Sequence, residues 1–185
     1  MACGCEVRLA GLAETTARQL AQRAIGEVRR IELKYSRYRA DSIVGRINLA
    51  AGAAPVECDD ETSSLLEYAG TLYESSGGLF DITSGVLRRA WDFRNARLPS
   101  GAALDAARSL VGWEHVEREG KTVRLARAGM EIDFGGFGKE YAADRAAATL
   151  RAAGLHHALV SLGGDVSLAG PRPDGSTWSI GVRDP

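Results

Sequence analysis

The stretch with the clearest capacity for chemistry is Glu131-Ile132-Asp133-Phe134-Gly135-Gly136-Phe137-Gly138-Lys139-Glu140-Tyr141, where a strand pattern hands over to a helix pattern through glycines. Such a turn aims backbone N–H groups and the positive end of a helix at one point, and glycine lets a phosphate approach the backbone closely. A phosphate-bearing ligand is the functional reading. A glycine turn that merely packs a helix tightly on a strand is the structural one. Asp133 and Lys139, opposite charges flanking the N–H cradle, suit a metal and a pyrophosphate and favour the first. Neither common phosphate motif fits: a Walker A loop would need glycine at Asp133 and a hydroxyl at Glu140, and a Rossmann fingerprint would need a small residue at Tyr141.

Two further glycine-bounded segments carry polar groups. In Gly77-Gly78-Leu79-Phe80-Asp81-Ile82-Thr83-Ser84-Gly85 an acid and two hydroxyls follow a helix pattern, and either local capping or ligand contact accounts for them. Ser161-Leu162-Gly163-Gly164-Asp165 reads as a tight hairpin turn. His115, His156 and His157 read as strand or surface residues, and no His, Asp or Glu has a unique claim as general base, so the catalytic residue is unknown from sequence. Cys3, Cys5 and Cys58 lack the ligand count of a structural zinc site and read as reduced thiols, with a redox or metal role as the alternative.

The elements that must position these groups follow from periodicity. Period-two alternation predicts a strand over Cys5–Leu9, and Ala17, Leu20, Ala21, Ala24, Val28 and Ile31 predict an amphipathic helix from Glu14 to near Lys34. Tyr35 to Ser42 reads as a loop, with Asp41 or Ser42 capping a short helix through Ile47. Asp59, Asp60 and Glu61 open a helix that Gly77-Gly78 stops. The chain then reads as irregular to Pro99, anchored by Trp91 and Phe93, before a short helix from Ala102 to Leu110. Strands are expected at Val116, at Val123 and Leu125 beyond a turn at Glu119-Gly120, at Met130 and Ile132, and over 158–162, 166–169 and 178–182. A helix over Tyr141–Ala153 follows the glycine cluster. Hairpins and helices without regular βαβ alternation predict an α+β fold with antiparallel or mixed sheets.

The 185 residues, 45% of them hydrophobic, suit one domain spanning 1–185. Twenty-three basic and 24 acidic side chains give a net charge of -1, which argues against nucleic acid as a partner. No apolar run approaches the roughly 20 residues of a membrane span. The start, with Cys3, Glu6 and Arg8, is unlike a secretory signal, so the expected location is cytoplasmic, with a periplasmic or inner-membrane lipoprotein as the alternative.

Five segments in one order resemble a known family. They are Tyr35-Ser36-Arg37-Tyr38 with Asp41-Ser42 and Asn48; Gly78-Leu79-Phe80-Asp81-Ile82-Thr83 with Gly85 and Trp91; Ile132 to Lys139 with Tyr141-Ala142-Ala143-Asp144; Leu162-Gly163-Gly164-Asp165; and Trp178 to Pro185. Together they are similar to the successive motifs of the ApbE-type FAD:protein FMN transferases. The resemblance implies FAD as substrate, Mg²⁺ as metal, and a client protein whose threonine or serine hydroxyl receives FMN while AMP departs. It implies a flavin ring held between Met1 and Tyr38, further FAD contacts from Leu79, Phe80, Asp81, Asp133 and Lys139, and a backbone carbonyl to Mg²⁺ from Gly136. A flat ring suits an apolar and aromatic sandwich, and phosphoryl-type transfer asks mainly for positioning and charge neutralisation, which a metal and Lys139 would provide.

Family members continue past the segment ending at Pro185 into a helix that supplies side-chain metal ligands, and they begin differently from Met1-Ala2-Cys3. The expectation is therefore the N-terminal part of such a domain, with a non-catalytic FAD-binding module, or a fragment that pairs with a C-terminal partner or another copy through an exposed sheet edge, as alternatives.

Overall fold

The apolar stripe of the first long helix is realised as Ala24, Val28, Ile31 and Tyr35, all buried on one face of α1 (Glu14–Tyr35), while its polar side carries ion pairs such as Arg18 with Glu14. The computed structural model describes residues 3–92 and 95–181. They group into two compact units, one of residues up to Leu33 together with those from Phe137 on, the other Lys34–Gly136.

In the first unit β1 (Cys5–Leu9), β5 (Ala158–Leu162) and β6 (Asp165–Leu168) form an antiparallel sheet in the order β1-β5-β6. Its register pairs Cys5 with Leu162 and Leu162 with Asp165. Helix α5 (Gly138–Ala152) packs on β5 and β6. Ala142, Ala143, Ala146, Ala147 and Leu150 are its buried face, and four small side chains let the helix axis come close to the sheet. Arg145 Nε lies 3.3 Å from Glu27 Oε1, linking α5 to α1 within this unit.

The second unit contains α2 (Ile43–Leu49), α3 (Asp60–Ser75), α4 (Gly101–Arg108), a 3₁₀ helix over Ile82–Ala90, and a sheet of β2 (Val56–Glu57), β4 (Thr122–Leu125) and β3 (Val116–Glu119) in that order. Its core holds Val44, Ile47, Leu66, Val86, Val123, Leu125, Met130 and Ile132. Asp59 caps α3, accepting from the Thr62 N–H at 3.0 Å, and Lys34 bridges Asp59 and Glu61. Burial by itself would raise the Asp59 carboxyl, but the bonds from Lys34 and Thr62 outweigh it and lower it to about 2.

The architecture is α+β with antiparallel sheets, as the sequence predicts. Three segments differ. Met130 and Ile132 are fully buried but lie outside any strand. The Asn48 side chain instead holds Ile132 at both backbone groups: Oδ1 accepts from its N–H at 2.7 Å and Nδ2 donates to its carbonyl at 3.0 Å. A side-chain amide thus occupies the place of a neighbouring strand. The segment expected to be irregular before Pro99 contains the nine-residue 3₁₀ helix. Residues 177–181 form no strand, and Trp178 is secured by its indole Nε1 donating to the Gly170 carbonyl at 2.9 Å. Phe93 lies outside the described residues. No helix among them is long and apolar enough to cross a membrane.

Candidate functional site

In the second unit, the loop carrying Tyr38 is fixed by its own backbone. Ser42, 2% exposed, caps α2 by accepting from the Gly45 N–H at 2.8 Å, and its hydroxyl points at the carbonyls of Ser36 (2.6 Å) and Arg39 (3.0 Å). Gly45 makes this possible, because a Cβ there would stand 1.9 Å from the Arg39 carbonyl oxygen. Tyr38 itself is 80% exposed. An aromatic ring presented to solvent from a loop tied down at three points is a ready stacking surface.

Arg37 joins that ring to the glycine turn. Its guanidinium lies 4.8 Å from the Tyr38 ring centroid, donates from Nη2 to the Tyr38 hydroxyl at 2.7 Å, and ion-pairs through Nη1 with Asp133 Oδ2. Burial alone would lower the guanidinium's affinity for its proton, but Tyr38 and Asp133 outweigh it and the net shift is upward. Arg37 Nε is buried without a hydrogen-bond partner. The other Asp133 oxygen accepts from the Gly135 N–H at 2.9 Å, and the Asp133 N–H donates to the Ile82 carbonyl at 2.9 Å. Asp133 therefore shapes the 3₁₀ turn Phe134–Gly136 from within. Phe80 closes over that turn: a Cβ on Gly136 would lie 2.7 Å from its ring.

Asp81 is the cap of the 3₁₀ helix. Oδ1 accepts from the Thr83 N–H and hydroxyl, both at 2.7 Å, and Oδ2 accepts from the Trp113 N–H at 3.1 Å, while buried Thr83 takes the Gly112 N–H at 2.8 Å. Of the two sequence readings of this loop, capping is visible in the geometry. Leu79 next to it is 92% exposed. An apolar side chain so fully in water contributes nothing to the core and is available to a ligand.

In the first unit, α5 starts at Gly138 with Phe137 at its N-cap, a residue whose side chain offers no acceptor to the first-turn N–H groups. Lys139, in that first turn, donates to Asp165 Oδ2 at 2.7 Å, and this bond holds its ammonium above the ordinary lysine range. Asp165 follows the two-residue turn Gly163-Gly164, whose φ values of 65° and 105° only glycine adopts readily. The sequence reading of a hairpin turn is realised there, and its aspartate, assigned no role from sequence, is the partner of Lys139.

Met1 lies outside the described residues. Arg37 has no role in the sequence reading, although it stands beside Tyr38 in the Tyr35-Ser36-Arg37-Tyr38 segment. His115 is near Glu114, His157 Nδ1 is 2.8 Å from the Pro171 carbonyl, and His156 is exposed. A cavity of about 290 Å³ lined by Cys58, Ser63, Arg118, Lys121 and Thr122 contains none of the predicted site residues.

The described residues do not build a magnesium site of their own. No group of three or more His, Cys, Asp or Glu side chains among them is gathered to hold a metal, and the carboxylates of Asp133 and Asp165 are engaged by Arg37 and Lys139. Mg²⁺ usually takes one or two carboxylates along with substrate phosphates.

Comparison with known proteins bears on the whole arrangement. The family model described as the ApbE family matches residues 1–185. The chain belongs to the ApbE family. An FAD:protein FMN transferase of Treponema pallidum is 34% identical over 171 residues, covering 83% of this chain and 47% of that protein. Among solved structures, the flavin transferase ApbE from Vibrio cholerae superposes with a TM-score of 0.88 at 26% identity, covering all of this chain and 62% of that one. The ApbE protein of Thermotoga maritima gives 0.83 at 33% identity, covering 96% and 60%. This ApbE chain spans about half the length of the curated relatives it matches.

Proposed function

We propose that this chain binds FAD as the flavin-holding part of an FAD:protein FMN transferase. In that reaction a threonine or serine hydroxyl of a client protein attacks the phosphorus of the FMN half. The pyrophosphate P–O bond breaks and AMP leaves, with the hydroxyl proton lost to solvent or base. The observation that carries the reading is the join made by Arg37, which ties an exposed ring to the carboxylate that shapes a glycine turn. The matching relatives, named for this activity, support it.

In this reading the isoalloxazine stacks on Tyr38, with the exposed Leu79 as a further apolar contact. Phe80 and Asp81 serve by holding the loop that carries Leu79. The pyrophosphate takes N–H groups at the start of α5 and the ammonium of Lys139, and Asp133 holds the shape of the turn before it. The N–H groups and the ammonium are static donors for charge that grows on the departing phosphate, the kind of stabilisation that needs no rearrangement during reaction. Magnesium bound with the pyrophosphate would take the Gly136 carbonyl as its ligand from this chain and would offset charge on the phosphates.

The engaged state of Asp133 and Asp165 favours a second reading, an FAD-binding module without turnover. Incubation of the purified chain with FAD, millimolar Mg²⁺ and a client bearing an acceptor threonine separates the two. A client heavier by one FMN unit with equal AMP supports the transferase, FAD binding with the client unchanged supports the module, and no binding of FAD rejects both.

A further inference from the structure

Cys3-Gly4-Cys5 leads into β1, and its two sulfurs lie 3.9 Å apart. Cys5 is exposed and anchored by its ladder pairing with Leu162, whereas Cys3 is half-buried and precedes the strand. A disulfide needs its sulfurs at about 2.05 Å, so roughly 2 Å of approach closes the gap. Nothing lies within 4 Å of where a Cβ on Gly4 would stand, and the freedom of backbone torsion of a glycine is what so small a ring requires. Cys58 does not compete, because it is buried and out of reach of a disulfide in solution.

We propose that Cys3 and Cys5 form a thiol–disulfide redox site whose oxidant is a low-molecular-weight disulfide of the glutathione type. The Cys5 thiolate, the more accessible, attacks one sulfur of the small disulfide. That S–S bond breaks and one small thiolate leaves, taking up the proton that Cys5 gave away. The Cys3 thiolate then attacks Cys5 Sγ, forming the Cys3–Cys5 bond and expelling the second small thiol, which takes the proton from Cys3. Two protein thiols lose two electrons and two protons, and the small disulfide gains them as two thiols.

The site has a place to be read. Cys3 packs against Gly163, where a Cβ would meet its Cβ at 2.9 Å and its Sγ at 3.0 Å; the Lys139 side chain, at 3.8 Å, lies against the same point. The Gly163 N–H also donates to the Gly4 carbonyl at 2.9 Å. Because Cys5 is held in the ladder, ring closure moves Cys3, and the movement falls on the turn that presents Asp165 to Lys139. Burial, and then the hydrogen bond to Cys3, raise the Cys5 thiol, so exchange quickens as pH rises.

The test needs no flavin and stands apart from the transferase reading. The full chain is incubated with excess oxidised glutathione, remaining thiols are alkylated, and intact mass and peptides are measured. The expected product has lost about 2 Da, carries one alkyl group on Cys58 and yields a linked Cys3–Cys5 peptide. Cys3→Ser and Cys5→Ser each stop at the glutathione adduct, and Cys58→Ser still forms the link. Wild-type chain that ends as the glutathione adduct, or keeps all three thiols free, overturns the proposal.

Discussion

Arg37 and Asp133, 96 positions apart in the chain, form an ion pair in which each side chain is 21% exposed. The same guanidinium binds the hydroxyl of Tyr38 and faces its ring. One side chain thus sets the position of the ring surface and of the carboxylate that braces the glycine turn. Removing it touches both.

Arg37→Met leaves Asp133 partly buried without its cation. The expected cost is about 1–3 kcal/mol in urea unfolding, because an unpaired, desolvated charge is worse than no pair. Asp133→Asn in the same background should recover part of that loss. Strict additivity of the two single changes would show that the pair is not coupled.

Tyr38→Ala separates binding from folding. With the ring 80% exposed, stability should change by no more than about 0.5 kcal/mol. FAD affinity should fall about tenfold or more, the worth of one aromatic stacking contact. A variant that unfolds more easily while binding FAD normally would contradict the assignment.

Asn48→Ala strips Ile132 of both backbone partners in a place where the side chain of Ile132 is fully buried. A buried N–H left unmade costs about 1–3 kcal/mol. The midpoint of denaturant unfolding should move accordingly, and hydrogen exchange at Ile132 should accelerate. Asn48→Leu, with the same branching but no donor or acceptor, should not rescue it.

Asp59 gives an acid signature. Its carboxyl titrates at about 2 in the fold against an ordinary 3.8, so the unfolded chain takes up the proton first as pH drops. Its contribution is therefore complete above about pH 4 and disappears as pH falls through about 2. Asp59→Asn should flatten the stability profile in that window while keeping the cap of α3, since asparagine caps comparably. An unchanged slope between pH 4 and 2 would show that Lys34 does not depend on this partner.

Much of the scaffold was legible from periodicity because it is local. The stripe of α1, the acidic start of α3, the alanine face of α5 and the Gly163-Gly164 turn each declare themselves within one or two turns of chain. Met130 and Ile132 differ for the opposite reason: alternation reports burial on one face, but the Ile132 backbone is partnered by a side chain 84 residues away and the Met130 N–H by the Arg127 carbonyl. The 3₁₀ run over Ile82–Ala90 is fixed at its start by the Asp81 cap and by the Asp133 N–H donating to the Ile82 carbonyl, a partner distant in sequence. The candidate residues were found through motif order. The residues that hold them, Arg37 and Asp165, were visible only once charges distant in sequence were seen face to face.

The most direct measurement is a fluorescence titration of FAD with the purified chain, repeated with riboflavin and with Tyr38→Ala. Saturable quenching of FAD, at least about tenfold weaker binding of riboflavin, which lacks the pyrophosphate, and a similar loss in the variant are the predicted results. Absence of quenching, or equal binding of all three pairs, would contradict a flavin dinucleotide held by Tyr38 and the start of α5.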